Sequence, residues 1–393
     1  MSADAGTDGV RSMAVLGSTG SIGIQTLDVA ARECARLTVT ALVAGRQLDR
    51  LCQQAQRWQP AFIGLEHASD PAGARAALQA AAPRAEVDVG PGASARITGS
   101  CGADLVVNGI VGSAGLAASI AALERGARLA LANKETLVVG GPLVRAALAR
   151  GGGELIPVDS EHSAALQILL GRPAHEVARL TLTASGGPLR QHPDWRRATP
   201  QEVLRHPVWA MGPRITTDSA TLFNKGLEIL EAHWLFDLPY EQLDAVIHPQ
   251  AVVHAIATFR DGSLIAQIAS ADMRLPIQLA LSWPERWGQA VQPLPVTKLA
   301  ALTFEEIEPA RFPAYACALA AGRIGGTAPC VLNAADEVAV AAFLDGAIPL
   351  GRLPDVLDRV LTRHAGSAVE SLEQLHEVDA WARAAAREEV VAL

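Results

Sequence analysis

The sequence predicts an α/β protein in three parts: a doubly wound N-terminal domain, an α+β middle domain with an open sheet, and a C-terminal helical bundle. Three observations lead there. A short apolar run, Met13 to Leu16, is followed by a glycine-rich turn and then by helical spacing. Apolar runs and amphipathic stretches then alternate as far as Arg150, the pattern of a parallel sheet with crossover helices. Beyond Pro313 the pattern is helical throughout, as in a small bundle.

Composition narrows the class. At 393 residues the chain exceeds one ordinary core, so two or three domains are expected. Half of the residues are apolar and only 4% aromatic, which makes the core rich in Ala, Val and Leu. No apolar run is long enough to span a bilayer. Residues 1–12 read as a short polar, disordered leader rather than a signal peptide. Five scattered cysteines without a C-x-x-C argue against a disulfide framework or a zinc site, and for a reducing cytoplasm. A net charge of −8 with no basic run gives nucleic acid little to hold, while leaving room for an anionic small molecule.

In order along the chain, the run Met13–Leu16, the turn Gly17-Ser-Thr-Gly20-Ser-Ile-Gly23 and a helix to Ala31 have the order of a Rossmann-like pyrophosphate cradle. Glycines let backbone approach the phosphates, and the helix N-terminus offers free N–H groups. The spacing G-x-x-G-x-x-G is not the commoner G-x-G-x-x-G, and a plain strand–helix turn would look similar. The second run, Leu37–Val43, ends in Ala44-Gly45-Arg46-Gln47, where an NAD enzyme usually carries an acid. A guanidinium there suits the 2′-phosphate of NADPH; a solvent-facing loop arginine is the plainer alternative. A helix over Leu48–Trp58, a strand over Ala61–Leu65 and helical sequence over Ala72–Ala82 follow. Asp104–Val111 reads as a strand into the small loop Gly112–Gly115. Arg128–Ala132 is the next strand, and it delivers Asn133, Lys134 and Glu135 to its C-terminal end, where open parallel sheets bind ligands. A helix over Leu143–Arg150 completes a nucleotide-binding domain set at 13–158.

After the joint Gly151–Gly153, Glu154–Val158 leads into Asp159-Ser160-Glu161-His162. If the strand persists, Asp159 and Glu161 point to one side. Two carboxylates there call for a cation, and an oxygen-only set favours Mg2+ or Mn2+ over zinc. The same D-S-E equally suits a cap for a helix over Ser163–Leu170. Leu180–Arg190 reads as a strand running into a small-residue loop with the Ser185 hydroxyl, an anion nest if a phosphate is near and an ordinary turn otherwise. The Pro-punctuated stretch from His192 to Met211, with Trp195 and Trp209, has the character of a lid. In Met211–Glu231, Asp218 and Ser219 are candidate caps for a helix from about Ala220. Such a helix carries Thr221, Asn224, Lys225 and Glu228 on one face and packs Leu222, Phe223, Gly226, Ile229 and Leu230 on the other. That face is either an ordinary water-facing one or the wall of a site holding a metal and a phosphate together.

Five motifs occur in order: G-S-T-G-S-I-G, L-A-N-K-E-T-L-V, P-V-D-S-E-H-S-A, M-G-P-R-I-T-T-D-S-A-T-L-F-N-K-G-L-E and L-N-A-A-D-E-V-A-V. Together they closely resemble the 1-deoxy-D-xylulose 5-phosphate reductoisomerase family, from about Ser12 to the C-terminal region. The resemblance implies conversion of 1-deoxy-D-xylulose 5-phosphate and NADPH into 2-C-methyl-D-erythritol 4-phosphate, for isoprenoid precursors. It implies a retro-aldol/aldol rearrangement followed by hydride reduction, a divalent metal (Mg2+ or Mn2+, with Co2+ also admitted), and a cytoplasmic homodimer. By the same resemblance, Asp159, Glu161 and Glu228 are the metal-binding carboxylates. Ser160, Ser185, His206, Ser219, Asn224 and Lys225 are substrate and phosphate contacts, and Lys134 reaches the substrate oxygens. Thr19, Gly20, Ser21, Ile22, Gly45, Arg46, Gln47, Asn133, Glu135 and Gly212 match NADPH positions. Trp209 matches a flap tryptophan, with the flap set at about 192–212, and Met273 a residue beside the nicotinamide. Val208 and Ala210 stand where polar residues are common in the family, and Phe223 where Met is usual.

From Leu243 the pattern returns to strands: Ala245–His248, Val252–Phe259, an Asp261-Gly262 turn, and Leu264–Ile268. These suggest an open sheet and a dimerisation surface within a catalytic domain at 159–290. The Pro-rich stretch from Trp283 to Val296 reads as surface linker, and 291–312 joins the last domain. That domain, 313–393, holds helices over Pro313–Ala321, Ala328–Leu344, Pro354–Thr362 and Ser371–Val391, with no chemistry beyond packing. Two rival readings remain at this point. A cofactor-independent, metal-dependent sugar-phosphate isomerase or aldolase leaves G-S-T-G-S-I-G and Arg46 idle. A non-catalytic NADP-sensing protein leaves the three acids idle.

Overall fold

The computed structural model describes residues 10–392 except 210 and 300, with Lys298 in its backbone only. The departure at Ala210 and residues 1–9 of the expected leader therefore lie outside the described residues. Within that leader, Arg11 and Ser12 are not disordered. They open the first strand and pair with Leu37 and Thr38. The chain divides into two compact units: the described residues up to Asn133 with Ala147–Val158 and Met273–Ala290, and Lys134–Ala146 with Asp159–Asp272 and Val291–Leu393.

The first unit alternates β1 (Arg11–Leu16), α1 (Ser21–Arg32), β2 (Leu37–Ala44), α2 (Leu48–Trp58), β3 (Phe62–Leu65), α3 (Pro71–Ala81), β4 (Glu86–Val89), α4 (Ala93–Ser100), β5 (Leu105–Asn108), α5 (Leu116–Glu124) and β6 (Arg128–Leu131). Then come the C-terminal part of α6 (Glu135–Gly151) and β7 (Glu154–Pro157). The seven strands form one parallel sheet in the order β4-β3-β2-β1-β5-β6-β7. The order reverses between β1 and β5, and that switch point is where such sheets bind nucleotides. Met13–Leu16 and Leu105–Val107 are fully or almost fully buried, as expected for central parallel strands covered on both faces. Local chemistry sets the helix starts: Asp70 caps α3 by accepting from Gly73 N at 3.0 Å, with Pro71 in the first turn. The expected catalytic segment 159–290 differs from the observed division, because Met273–Ala290 returns to this unit. Its helix Arg274–Ser282 packs on α1, β6 and β7, and Arg11 and Arg128 donate to the carbonyls of Leu281 and Trp283 at 2.8 and 2.6 Å.

The second unit begins with the N-terminal turns of α6, which are kinked at Gly140 next to Pro142. It continues through α7 (Ser160–Leu169), β8 (Val177–Ala184), the short α8 (Pro200–Val203), α9 (Pro213–Ala220), α10 (Phe223–Phe236), β9 (Leu243–Ile247), β10 (Val253–Phe259) and β11 (Leu264–Ile268). The helix Arg274–Ser282 described above is α11. After it follow β12 (Glu305–Glu306), α12 (Pro313–Ile324), α13 (Ala328–Leu344), α14 (Leu353–Thr362) and α15 (Leu372–Ala392). The sheet is mixed, β11-β10-β8-β9-β12, with only β8 and β9 parallel. Helices α12–α15 share one core with α9 and α10, in which Phe223, Val331, Phe343, Leu357 and Ala386 are buried. Phe223 thus lies in the core, and truncating it to Ala costs roughly 3–5 kcal/mol.

Two expectations are corrected here. The strand does not persist through Asp159. The chain turns, and Asp159 caps α7 by accepting from Ser160 N at 3.0 Å, with Glu161 in the first turn. Nor do Asp218 and Ser219 cap a helix. The β-branched run Ile215–Thr217 is itself helical, Asp218 and Ser219 close α9, and Leu222 in the left-handed region (φ 55°) starts α10. The helix after that break is buried on nearly every side, Lys225 and Glu228 included.

Candidate active site

In the first unit, backbone shapes the site. Gly17 has φ +75°, and a Cβ there would stand 2.6 Å from the Gly109 carbonyl oxygen, at the end of β5. A Cβ on Gly23 would meet Gly17 O and Ser18 Cα, each at 2.4 Å, so only glycine lets α1 sit against the turn. Thr19 is buried, Gly20 and Ser21 are exposed at the start of α1, and Ile22 is half-buried. Gly45, Arg46 and Gln47 are exposed at the C-terminal end of β2. Asn133 is buried and donates to the carbonyls of Ile110 (2.7 Å) and Gly112 (2.9 Å), fixing the loop beyond β5. Met273 is half-buried at the cap position of α11. This cradle, whose glycines a Cβ would fill, fits a dinucleotide pyrophosphate. Of the expected NADPH positions, Glu135 and Gly212 belong to the second unit; Glu135 pairs there with Arg214 at 3.0 Å.

In the second unit, side chains from separate segments converge. Asp159 at the cap of α7, Glu161 in its first turn and Glu228 in α10 each offer one oxygen, all within 4.8 Å of one another. Two ammonium groups back them. Lys134 Nζ lies 2.9 Å from Asp159 Oδ2 and 3.0 Å from Glu228 Oε1, and it donates to Asn224 Oδ1 at 2.7 Å. Lys225 Nζ lies 2.9 Å from Glu161 Oε1 and also bonds Glu228, which accepts from Asn224 Nδ2 as well. The Ser160 hydroxyl donates to Glu161. Although burial opposes it, Lys134 holds the Asp159 carboxyl far below the usual range, and Lys225 lowers Glu161 in the same way. Burial wins at Glu228, whose carboxyl is pushed up despite both lysines. Three carboxylates against two ammonium groups leave a net negative, all-oxygen donor set, which fits a hard divalent cation.

Sequence reasoning missed the groups behind this set. His162 and Glu231 are fully buried, with Nδ1 3.2 Å from Glu231 Oε2. His162 Nε2 meets the Glu228 carbonyl at 2.9 Å, tying α7 to α10. Burial pushes the Glu231 carboxyl up to about 8; against burial, Glu231 and Asp159 hold the imidazole up to about 9. Asp159, His162 and Glu231 form a second triangle of possible ligands, but its imidazole and carboxyl already pair with each other. The signal was in the spacing: His162 and Glu231 each follow a site acid by three residues on a helix.

A second cluster suits an anion. Ser185 Oγ and Ser219 Oγ each lie 3.2 Å from His206 Nε2. Trp209 N donates to His206 Nδ1 at 2.8 Å and Val208 N at 3.2 Å, so Nδ1 is the acceptor and Nε2 carries the proton. Burial lowers the imidazole pKa, in keeping with that neutral tautomer. Gly186 and Gly187 both have positive φ, and a Cβ on Gly187 would strike Ser219 O at 2.4 Å, so glycine brings the two hydroxyl-bearing segments together. Trp209, tied to this cluster's histidine by its main-chain N, is half-buried, and Val208 is exposed.

One chain that carries a dinucleotide cradle, an acidic cation centre and a hydroxyl–imidazole anion pocket defines a metal-assisted oxidoreductase of phosphorylated substrates. Three family models match in turn: 1-deoxy-D-xylulose 5-phosphate reductoisomerase over residues 13–141, its C-terminal domain over 155–236, and the DXP reductoisomerase C-terminal domain over 268–385. The chain belongs to the 1-deoxy-D-xylulose 5-phosphate reductoisomerase family. It is 49% identical to the reductoisomerase of Pseudarthrobacter chlorophenolicus over 388 residues, covering 96% of this chain and 98% of that one. It is 44% identical to that of Chlorobaculum tepidum over 381 residues, covering 96% and 99%. Among solved structures, it is similar to the Zymomonas mobilis reductoisomerase in complex with NADPH, at TM-score 0.90 and 38% identity, covering 98% of this chain and 100% of that one. It is equally similar, at TM-score 0.90 and 34% identity, to a DOX-P reductoisomerase in complex with NADPH, fosmidomycin and magnesium, covering 97% and 98%.

Proposed function

We infer that this chain converts 1-deoxy-D-xylulose 5-phosphate into 2-C-methyl-D-erythritol 4-phosphate, with NADPH as reductant and a divalent cation. The observation that carries the reading is the meeting of Asp159, Glu161 and Glu228 oxygens, backed by two lysines. When bound, the cation supplies Lewis acidity for the carbon rearrangement by a retro-aldol/aldol route, and NADPH supplies the hydride. Asp159, Glu161 and Glu228 hold the cation, and Ser160 and Asn224 fix the orientation of two of those carboxylates by hydrogen bonds. Lys134, held protonated by Asp159 and Glu228 against burial, donates to substrate oxygens and steadies the negative charge that develops there. Lys225, likewise held charged by Glu161 and Glu228, sets the position of both carboxylates. Ser185, Ser219 and the Nε2–H of His206 donate to the phosphate, whose binding orients the distant reacting carbons. The segment 192–212, with Trp209, covers the bound sugar and excludes water.

Thr19–Ile22, Gly45–Gln47, Asn133 and Met273 hold the dinucleotide, with Glu135 and Gly212 completing the set. The test is NADPH oxidation with the proposed substrate: turnover is expected with Mg2+ and none with excess chelator. Chelator-resistant NADPH oxidation, or metal-dependent isomerisation that consumes no NADPH, would overturn the reading.

The chain is proposed to act as a cytoplasmic homodimer. No described cysteine is paired, and no described helix is long and apolar enough to cross a membrane. The edge strand β11 presents Leu264 and Ile268 at 65% and 42% exposure, an uncovered apolar edge that suits a second copy. Sedimentation is expected to give a dimer that Leu264→Lys with Ile268→Lys disperses; a monomer at micromolar concentration removes this part of the proposal.

A further inference from the structure

The motif Leu332-Asn-Ala-Ala-Asp336-Glu337 on α13 touches neither cluster described above, yet one guanidinium ties it to both. Arg214 is the second residue of α9, two beyond Gly212, where the flap segment 192–212 ends. Its Nη1 donates to Glu135 Oε1 (3.0 Å) and Glu337 Oε1 (2.9 Å), and its Nη2 to Asn333 Oδ1 (2.8 Å). Asp336 Oδ2 lies 3.5 Å from Nη2, and Asp218 Oδ2 lies 3.7 Å from Nε. Asn333 and Asp336 are fully buried. Arg383 on α15 braces Glu337 from behind, Nη2 to Oε2 at 2.7 Å. A cation in the first turn of a helix stands against the helix dipole, so α9 itself does not favour this charge. Its partners on α6 and α13 hold it there.

What Arg214 fixes is more than its own helix. Through α9 it sets Gly212 at the base of the flap and Ser219 at the far end, in the anion pocket. Through Glu135 it sets the residue next to Lys134, whose ammonium sits among the site carboxylates. A planar five-donor fork reaches the α6 carboxylate and the α13 acceptors in fixed directions, which a rotating ammonium does not.

We propose that Arg214, seated on Asn333, Asp336 and Glu337 of α13, is a positioning residue for the sugar-phosphate site, so that the C-terminal helices take part in substrate capture. The proposal rests on the function inferred above. A merely structural ion-pair network would lower thermal stability and kcat together and leave KM alone. A positioning role raises KM for the sugar phosphate and loosens the flap.

The experiment compares the full chain with Arg214→Met, Arg214→Lys, Glu337→Gln and the Arg214→Met/Glu337→Gln double variant. Three readouts apply: steady-state kinetics with Mg2+, NADPH binding by fluorescence, and the rate of trypsin cleavage after the exposed Arg205 in the substrate-free flap. Arg214→Met is expected to raise KM for the sugar phosphate about tenfold with kcat within about threefold, and to weaken NADPH binding by less than that, through Glu135 and Gly212 alone. Flap cleavage is expected to accelerate about fivefold, with Arg214→Lys and Glu337→Gln in between. The double variant is expected to match Arg214→Met, since both changes break one contact system. Unchanged KM and unchanged cleavage in the folded variants would overturn the proposal, as would effects that multiply in the double variant. Where Arg214→Met does not fold, Arg214→Lys and Glu337→Gln decide by the same readouts. If the parent chain fails to turn over 1-deoxy-D-xylulose 5-phosphate, the inferred function falls, while the cleavage rates still decide whether Arg214 and α13 hold the flap.

Discussion

In the first unit the groups proposed to cradle the pyrophosphate are largely main chain and lie within seven consecutive residues, Gly17–Gly23. In the second they are side chains gathered from α6, α7, α10 and the segments around Ser185, His206 and Ser219. The difference concerns what each site tolerates. A backbone cradle is damaged by any added atom, because its walls are the turn itself. A centre made of charged side chains is damaged by removing one charge, because Glu228 and both ammonium groups are buried, and Asp159 and Glu161 half-buried, on the strength of their neighbours.

Three changes sharpen or break this contrast. Glu228→Gln keeps the shape of the second centre but removes one of three anionic ligands, and turnover is expected to fall by about 10^3. NADPH binding, followed by fluorescence, is expected to stay within about twofold of the parent. Retained full activity would take Glu228 out of the site. Gly23→Ala does the reverse. Its Cβ, 2.4 Å from Gly17 O, forces the turn open, and NADPH affinity is expected to fall about 100-fold, or about 3 kcal/mol. Mn2+ binding in the same variant, read by electron paramagnetic resonance, is expected to be untouched. Weakened Mn2+ binding would show that the two sites do not fail separately.

The smallest effect is one of pH. Burial pushes the Asp218 carboxyl up to about 7, with Arg214 opposing. A carboxyl whose folded pKa is raised binds its proton more tightly when folded. Its stabilising contribution is therefore complete below the ordinary value near 4 and is lost as pH rises through about 7. Asp218→Asn carries no such proton, so relative to the parent it is expected to gain roughly 1 kcal/mol per pH unit across that window and nothing above it. Melting temperatures of the two proteins between pH 4.5 and 8.5 check this. Parallel curves would mean that Asp218 is ionised throughout.

The same contrast explains what could be read from the sequence. The cradle was legible because strand, glycines and helix are contiguous, and α2 and α14 carry their periodicity over their whole length. Helix α5 was not, being apolar on nearly all sides, nor was α11, with Pro276 inside its first turn. Asp159 and Glu161 were readable as a candidate cation pair, but their joining with Glu228 came from family resemblance, since spacing alone cannot bring α7 and α10 together. The break at Leu222 had no signal at all, because leucine rarely adopts a left-handed conformation and nothing in its neighbours announces one. His162 and Glu231 stood in plain view at helical spacing from the acids and were given no role.

That break at Leu222 has a mechanical meaning. A continuous rod from Pro213 to Phe236 would transmit every tilt at one end to the other. Interrupted where it is, the chain carries Ser219 and Glu228 on two separate helices, the second anchored on α12, against which Gly226 lies so closely that a Cβ there would meet Ala318 Cβ at 2.4 Å. The Ser219 hydroxyl and the Glu228 carboxylate therefore reach their clusters from two helices whose pitches need not match.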